Sequence, residues 1–218
     1  MHPNNMIKLF IFDYDGLMVN SEQVVFQALK KLLQGYGKQL TWEYYCRHIG
    51  TPVPIALQHF YSDFKIKNSL AQFTHARNKI VADYVNSRLT LMNGLVPFLK
   101  LLKRKSKMMA VASSGTKKYV HSGLQKFAIS PFFHSIVTID DVTQGKPHPD
   151  LILKTLTVTG FKPHEALIIE DSPHGIEAAF RAKVFSVAIP TKGVSYDKFD
   201  KASLITKSFS HLQKIIKL

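Results

Sequence analysis

Residues 7–16 read IKLFIFDYDG, and this stretch decides the fold. A short apolar run, Ile7 to Phe12, is followed by two acidic residues, Asp13 and Asp15, and then by a glycine. The run has the length and the branched or aromatic composition of a buried strand. It is too short, and too acidic at its end, for a signal peptide or a membrane span. We therefore predict a buried strand that carries two carboxylates at its carboxyl end.

Four further apolar runs of this kind follow along the chain. They are Met108 to Ala112, Ser135 to Ile139, Ala166 to Ile169 and Val184 to Ile189. Patterns with helical spacing lie between them, at 94–105, 117–127, 150–159 and 175–182. Strands that alternate with helices are typical of a parallel sheet with helices on both faces. The sequence thus predicts an α/β core.

The stretch between Phe12 and Met108 is far longer than one crossover helix needs. Its apolar residues repeat at helical spacing, as Val24, Ala28 and Leu32 do in its first part. Further helices are predicted at 41–47, 54–64 and 69–87. We predict an inserted all-helical cap domain over residues 17–89, with residues 1–16 and 90–218 forming the core domain.

The chain carries 29 Lys and Arg against 15 Asp and Glu, a formal charge of +14. Such a charge attracts phosphorylated substrates and polyanions. Nucleic-acid binding is not favoured, because the basic residues are spread along the chain without interleaved aromatic residues or a groove-reading motif. The single cysteine, Cys46, leaves no partner for a disulfide, so a cytoplasmic protein is expected. We expect no membrane partner, and a monomer or a small homo-oligomer.

The acidic pair Asp13 and Asp15 lies where open parallel sheets bind ligands, beyond the carboxyl ends of the strands. A glycine directly after the pair allows the chain to curl so that both carboxylates face one site. Two buried carboxylates repel one another unless a cation or an extra proton is present. The pair alone also fits an ordinary acidic turn, so the other strand ends decide between the two interpretations.

Each later strand end carries a group of complementary chemistry. Ser113 and Ser114 follow the second strand with a hydroxyl and backbone amides that can hold phosphate oxygens. After the third strand, Lys146 follows a glycine and precedes two prolines that restrict the backbone. Its ammonium can supply a point charge to a bound phosphate. Glu170 and Asp171 end the fourth strand with the hard oxygen ligands that magnesium prefers.

An acidic pair, a hydroxyl, a lysine and a second acidic pair in this order resemble the haloacid dehalogenase superfamily, over the whole chain. The helical insertion resembles the C1-type, four-helix cap of the subgroup that contains beta-phosphoglucomutase and many small-metabolite phosphatases. Residues 16–22, GLMVNSE, look closest to the phosphatases, with Asn20 where an aspartate is usual. The resemblance implies a Rossmannoid parallel-sheet core with an inserted helical cap.

The resemblance also implies catalytic roles. Asp13 would attack phosphorus and form an aspartyl phosphate, while Asp15 would protonate the leaving oxygen and then deprotonate the hydrolytic water. Lys146 would balance the charge of the transferring group. Ser113 and the backbone amide of Ser114 would bind the phosphoryl oxygens.

Magnesium is the cofactor that the resemblance implies. It would take oxygens from Asp13, from the backbone carbonyl of Asp15 and from Asp171, with Glu170 in or directly behind the metal site. The function predicted from these residues is a magnesium-dependent phosphatase of a small phosphorylated metabolite, such as a sugar phosphate or a nucleotide-like monophosphate.

Two alternatives stay open from the sequence. One is a beta-phosphoglucomutase-like sugar-phosphate mutase, although this chain has Val53 where that family has a cap arginine and Val25 where it has a histidine. The other is a non-catalytic, basic nucleic-acid-binding protein on a retired enzyme scaffold. A retired site is expected to have lost a charged group, whereas here all of them remain.

Overall fold

The computed structural model describes residues 7–216 of the 218-residue chain. The predicted core domain also includes residues 1–6 and 217–218, which lie outside the described residues. The strands are β1 Leu9–Phe12, β2 Met108–Ala112, β3 Ser135–Val137, β4 Ala166–Glu170, β5 Phe185–Ala188 and β6 Leu204–Ile205. The helices are α1 Ser21–Gly35, α2 Trp42–Cys46, α3 Val53–Asp63, α4 Leu70–Arg88, α5 Leu95–Arg104, α6 Lys117–Lys126, α7 Asp150–Thr159, α8 Pro173–Arg181 and α9 Phe209–Ile215.

The described residues form a parallel six-stranded sheet in the order β3-β2-β1-β4-β5-β6. Strand β1 is central and pairs with β2 on one side and β4 on the other. The predicted α/β fold with a parallel sheet is therefore confirmed. Because β1 and β4 are neighbours, their carboxyl ends place two acidic pairs side by side.

Helices cover both faces of the sheet, as predicted. Leu9 and Ile11 point to one face and share a buried cluster with residues of α7 and α8. Phe10 and Phe12 point to the other face, where each ring lies edge-on to Phe98 of α5 at 6.2 Å between centroids. All four β1 side chains are fully buried. Packing on both faces holds the residue that follows β1 in a fixed position.

The third strand, the sixth strand and helix α9 differ from the sequence prediction, which did not include the last two. The third strand ends at Val137 rather than at Ile139, because residues 139–141 turn into a short 3₁₀ helix. Thr138 begins this turn, and its amide donates to Asp141 Oδ2 at 2.9 Å. The sixth strand, Leu204–Ile205, was not predicted, since two residues are too few to show a period.

Contacts divide the described chain into two compact units. The first contains the sheet and comprises the residues up to Val19, Leu91–Thr191 and those from Ser195 onward. The second comprises Asn20–Thr90, with helices α1 to α4, and the short segment Lys192–Val194. None of the helices within residues 7–216 is long and apolar enough to cross a membrane.

The helical unit has its own small core. Phe73 of α4 is fully buried, and its ring lies 5.9 Å from that of Tyr36. Ser69 caps α4 in a reciprocal arrangement with Gln72. The segment Lys192–Val194 joins this unit through the indole N–H of Trp42, which donates to the Lys192 carbonyl at 2.9 Å. Nothing in the sequence predicted that the chain returns to the helical unit at this point.

Candidate active site

The chain turns sharply after β1, at the residues of the first acidic pair. The amides of Met18 and Val19 both donate to the carbonyl of Tyr14, at 2.9 and 3.2 Å. Gly16 adopts a φ of 75°, and a Cβ at this position would lie 2.0 Å from Asp171 Oδ2. The turn requires glycine for both reasons, because a side chain would be strained there and would displace the second acidic pair.

A buried ammonium lies among the carboxylates at the ends of β1 and β4. Lys146 Nζ contacts Asp13 Oδ1 and Glu170 Oε1, and it donates to the carbonyl of Ala112 at 3.0 Å. Asp13, Glu170 and Asp171 are all buried, and each offers an oxygen within 4.8 Å of the others. The structure thus brings together four of the residues singled out in the sequence.

The protein groups of this cluster carry an excess of negative charge. Burial, and then the Glu170 carboxylate, raise the pKa of Asp13 to about 8, while Lys146 opposes the shift. Burial by itself would lower the pKa of Lys146. Asp13 and Glu170 outweigh burial and raise this pKa above its ordinary value, so the ammonium stays charged. Three carboxyl groups whose oxygens converge beside a single ammonium suit a divalent cation.

Neighbouring groups orient the second acidic pair. Glu170 Oε2 accepts from the amide and the hydroxyl of Ser172, at 3.3 and 3.1 Å. A Cβ at Gly175 would lie 1.9 Å from the Glu170 carboxyl carbon, so only glycine allows α8 to begin this close. The hydroxyl of Thr191 donates to Asp171 Oδ2 at 2.9 Å. Hydrogen bonds of this kind fix the direction in which a carboxylate presents its oxygens to a ligand.

Asp15 is held by a residue of α6. The Tyr119 hydroxyl donates to Asp15 Oδ1 at 2.7 Å. Burial, and then Asp15, raise the pKa of Tyr119, so the phenol keeps its proton. Tyr14 is fully buried and lies edge-on to the Tyr119 ring at 5.4 Å between centroids, so Tyr14 packs against the residue that contacts Asp15.

The loop after β2 carries the two serines that the sequence singled out for phosphate binding. Ser113 is fully buried, its amide donates to the Val137 carbonyl at 3.0 Å, and its Oγ accepts from the Gly115 amide at 2.9 Å. Ser114 is exposed and lies between β2 and the start of α6. Both serines follow a strand that pairs directly with β1.

Comparison with known proteins decides the family. Residues 10–189 match the haloacid dehalogenase-like hydrolases, which is most of the chain. The chain belongs to this family.

Relatives within the haloacid dehalogenase-like hydrolases include named phosphatases. The chain is 28% identical to the phosphorylated carbohydrates phosphatase of Thermotoga maritima, over 80% of this chain and 81% of that protein. It is 27% identical to the pyrophosphatase PpaX of Bacillus cereus, over 96% of each. The fold matches the crystal structure of beta-phosphoglucomutase from Clostridium difficile with a TM-score of 0.73 and 23% identity, over 94% of this chain and 92% of that one.

Two contacts of this haloacid dehalogenase-like site were missed in the sequence. Thr191 shortly follows β5, so the rule that polar residues after strand ends face the site would have found it. Tyr119 lies inside a helical pattern, where an aromatic residue usually indicates packing. Its contact with Asp15 depends on the phase of α6 relative to β1, which no local pattern shows.

Gly123 of α6 provides a test of this packing. A Cβ there would lie 1.7 Å from the Tyr14 hydroxyl oxygen. We expect Gly123→Ala to destabilise the fold by about 1–3 kcal/mol, as overpacking does, despite the better helix propensity of alanine. Gly35→Ala is the control, because a Cβ at Gly35 meets nothing within 4 Å. Thermal unfolding measures the stability of both variants. Equal unfolding midpoints for Gly123→Ala and Gly35→Ala would contradict the packing of Gly123 against Tyr14.

Proposed function

We propose that this chain is a magnesium-dependent phosphatase that hydrolyses a small phosphorylated metabolite through an aspartyl phosphate on Asp13. The observation that carries the proposal is the buried ammonium of Lys146 between Asp13 and Glu170, with Asp171 beside them at the carboxyl end of a parallel sheet. Membership of a hydrolase family with phosphatase-named relatives supports the reaction class.

The first half-reaction transfers the phosphoryl group to the enzyme. A carboxylate oxygen of Asp13 forms a bond to phosphorus while the bond from phosphorus to the ester oxygen breaks. Asp15 delivers a proton to that departing oxygen, so the product leaves as an alcohol. The Lys146 ammonium offsets negative charge on the carboxylate and on the transferring group.

The second half-reaction returns the enzyme to its starting state. Water attacks phosphorus, Asp15 takes a proton from that water, and the bond between phosphorus and Asp13 breaks. Inorganic phosphate leaves, and Asp15 is again protonated for the next cycle. Ser113 and the Ser114 amide are proposed to hold phosphoryl oxygens in both steps, since they follow β2 next to β1.

Asp13, Asp171 and the backbone carbonyl of Asp15 would hold Mg²⁺. Glu170 belongs to the same cluster but already contacts Lys146 and Ser172, so we place it at the rear of the metal site. When bound, Mg²⁺ would neutralise part of the negative charge of the phosphate ester.

We assign residues 17–89 to a cap domain and residues 1–16 and 90–218 to a core domain. A cytoplasmic location and a monomer or small homo-oligomer stay predictions.

A panel of sugar phosphates and nucleoside monophosphates with Mg²⁺, read as released phosphate, tests the proposed reaction. We expect at least one ester to be hydrolysed, with water as the main acceptor. One assay of the panel contains glucose 1-phosphate with a trace of glucose 1,6-bisphosphate. In this assay the rate of glucose 6-phosphate formation is compared with the rate of phosphate release. Isomerisation that outruns phosphate release would assign the chain to the mutases instead.

Magnesium dependence is a separate prediction. Exhaustive chelation should abolish phosphate release, and added Mg²⁺ should restore it. Asp171→Asn should raise the Mg²⁺ concentration for half-maximal activity by at least about tenfold, because it removes one anionic ligand. Asp83→Asn, the same change on an exposed position of α4, is the matched control. Full activity after chelation would contradict the metal site.

A further inference from the structure

We propose that Tyr119 is a positioning residue that orients Asp15 for both of its proton transfers. The inference rests on the proposed role of Asp15 as the acid and base. It adds a contact from α6 that supports the proton-transfer step, separate from the groups that bind phosphate and metal.

The contact joins two residues that are 104 positions apart in the chain. The Tyr119 hydroxyl lies 2.7 Å from Asp15 Oδ1, within the usual range for a strong O–H···O bond. Asp15 is only partly buried and follows the turn that leaves β1, so its carboxylate is less confined by packing than that of Asp13. The hydrogen bond from Tyr119, a partner held by packing, therefore restricts the orientation of this carboxylate.

The Tyr119 ring is itself held in place. Tyr14 packs edge-on against it, and Tyr14 is fully buried against two residues of α6, Tyr119 and Gly123. A Cβ at Gly115 would lie 3.0 Å from Tyr119 Cδ1, so the backbone of the loop after β2 passes close to the ring. The phenol thus links Asp15 to the packed end of α6.

The bond also determines which oxygen of Asp15 transfers protons. Because Oδ1 accepts the phenol hydrogen, the proton for the ester oxygen is carried on Oδ2. In the first half-reaction this proton moves from Oδ2 to the departing ester oxygen as the bond from that oxygen to phosphorus breaks. In the second half-reaction a proton of the attacking water returns to Oδ2. The Tyr119 proton stays on its own oxygen throughout.

The Tyr119→Phe variant separates this role from packing, since it keeps the ring and removes only the hydroxyl. The readout is kcat/KM, which covers phosphoryl transfer to Asp13, for two esters. One is the alkyl phosphate of the panel that the wild type hydrolyses fastest, whose leaving oxygen needs a proton. The other is p-nitrophenyl phosphate, whose leaving group departs without one. We expect a loss of about tenfold or more for the alkyl ester and less than about threefold for the aryl ester.

Tyr14→Phe is the matched control. It removes a neighbouring tyrosine hydroxyl that is buried and has no hydrogen-bond partner among the described residues. Both esters should be hydrolysed by this variant as by the wild type. Equal losses for the two esters in Tyr119→Phe, or no loss for either, would overturn the positioning role.

A double variant distinguishes this inference from the proposed function. If Tyr119 acts through Asp15, adding Tyr119→Phe to Asp15→Asn should lower kcat/KM for the alkyl ester by less than about twofold further. Independent, multiplying effects would overturn the positioning role. If Asp15→Asn alone leaves the alkyl ester unaffected, the proposed role of Asp15 fails as well. If Asp15→Asn is slow while Tyr119→Phe is not, only the positioning role fails.

Discussion

Asp13→Asn is expected to abolish phosphate release, with a loss in kcat of at least about 10⁴-fold, the scale seen when a covalent nucleophile is removed. An amide has no anionic oxygen to attack phosphorus, yet it keeps the shape of the side chain. Lys146 retains Glu170 and the Ala112 carbonyl as partners, so the buried cluster should still assemble.

Thermal unfolding of the Asp13→Asn variant serves as its control for folding. A midpoint close to that of the wild type, together with lost turnover, assigns the loss to chemistry. Asp83→Asn again controls for the change of charge. Turnover near the wild-type rate in Asp13→Asn would exclude Asp13 as the nucleophile.

Asp15→Asn carries the second-largest expected effect. General acid–base groups contribute roughly 10²–10⁴-fold, so the variant should lose about 3–5 kcal/mol of barrier lowering. The asparagine amide oxygen can still accept the Tyr119 hydrogen, which keeps the local geometry. The proposed metal contact of this residue is its backbone carbonyl, so the Mg²⁺ concentration for half-maximal activity should stay unchanged.

Steady-state rates over a range of Mg²⁺ concentrations measure both quantities for Asp15→Asn. A rate within about threefold of the wild type would remove Asp15 from the proton-transfer steps. A large shift in the Mg²⁺ requirement with little change in the maximal rate would instead make the Asp15 side chain part of the metal site.

The sequence predicted the parallel sheet and the position of the acidic cluster for one physical reason. Parallel strands end at the same edge, so groups that follow successive strands converge. Asp13, Lys146, Glu170 and Asp171 could be grouped without coordinates on this basis. Their roles as nucleophile, counter-charge and metal ligands stay proposals that the variants above address.

What the sequence did not predict depends on contacts without a local pattern. Strand β6 is too short to show alternation, and Lys192–Val194 joins the helical unit through one backbone carbonyl. The contact of Tyr119 with Asp15 depends on the rotation of α6 about its axis, and the same rotation packs Gly123 against Tyr14. The periodicity of a sequence does not predict side-chain contacts that depend on the rotation of a helix about its axis.

Trapping the phosphoryl group on Asp13 is the most direct test of the proposed mechanism. Enzyme and a phosphorus-labelled ester at equal concentrations, with Mg²⁺, are quenched in acid at successive times through the first turnover, and the labelled peptide is identified. The wild type and Asp15→Asn should both carry label on Asp13, longer-lived in Asp15→Asn, and Asp13→Asn should carry none. Complete conversion of the ester by the wild type and Asp15→Asn with no label on Asp13 at any time would contradict the aspartyl-phosphate mechanism.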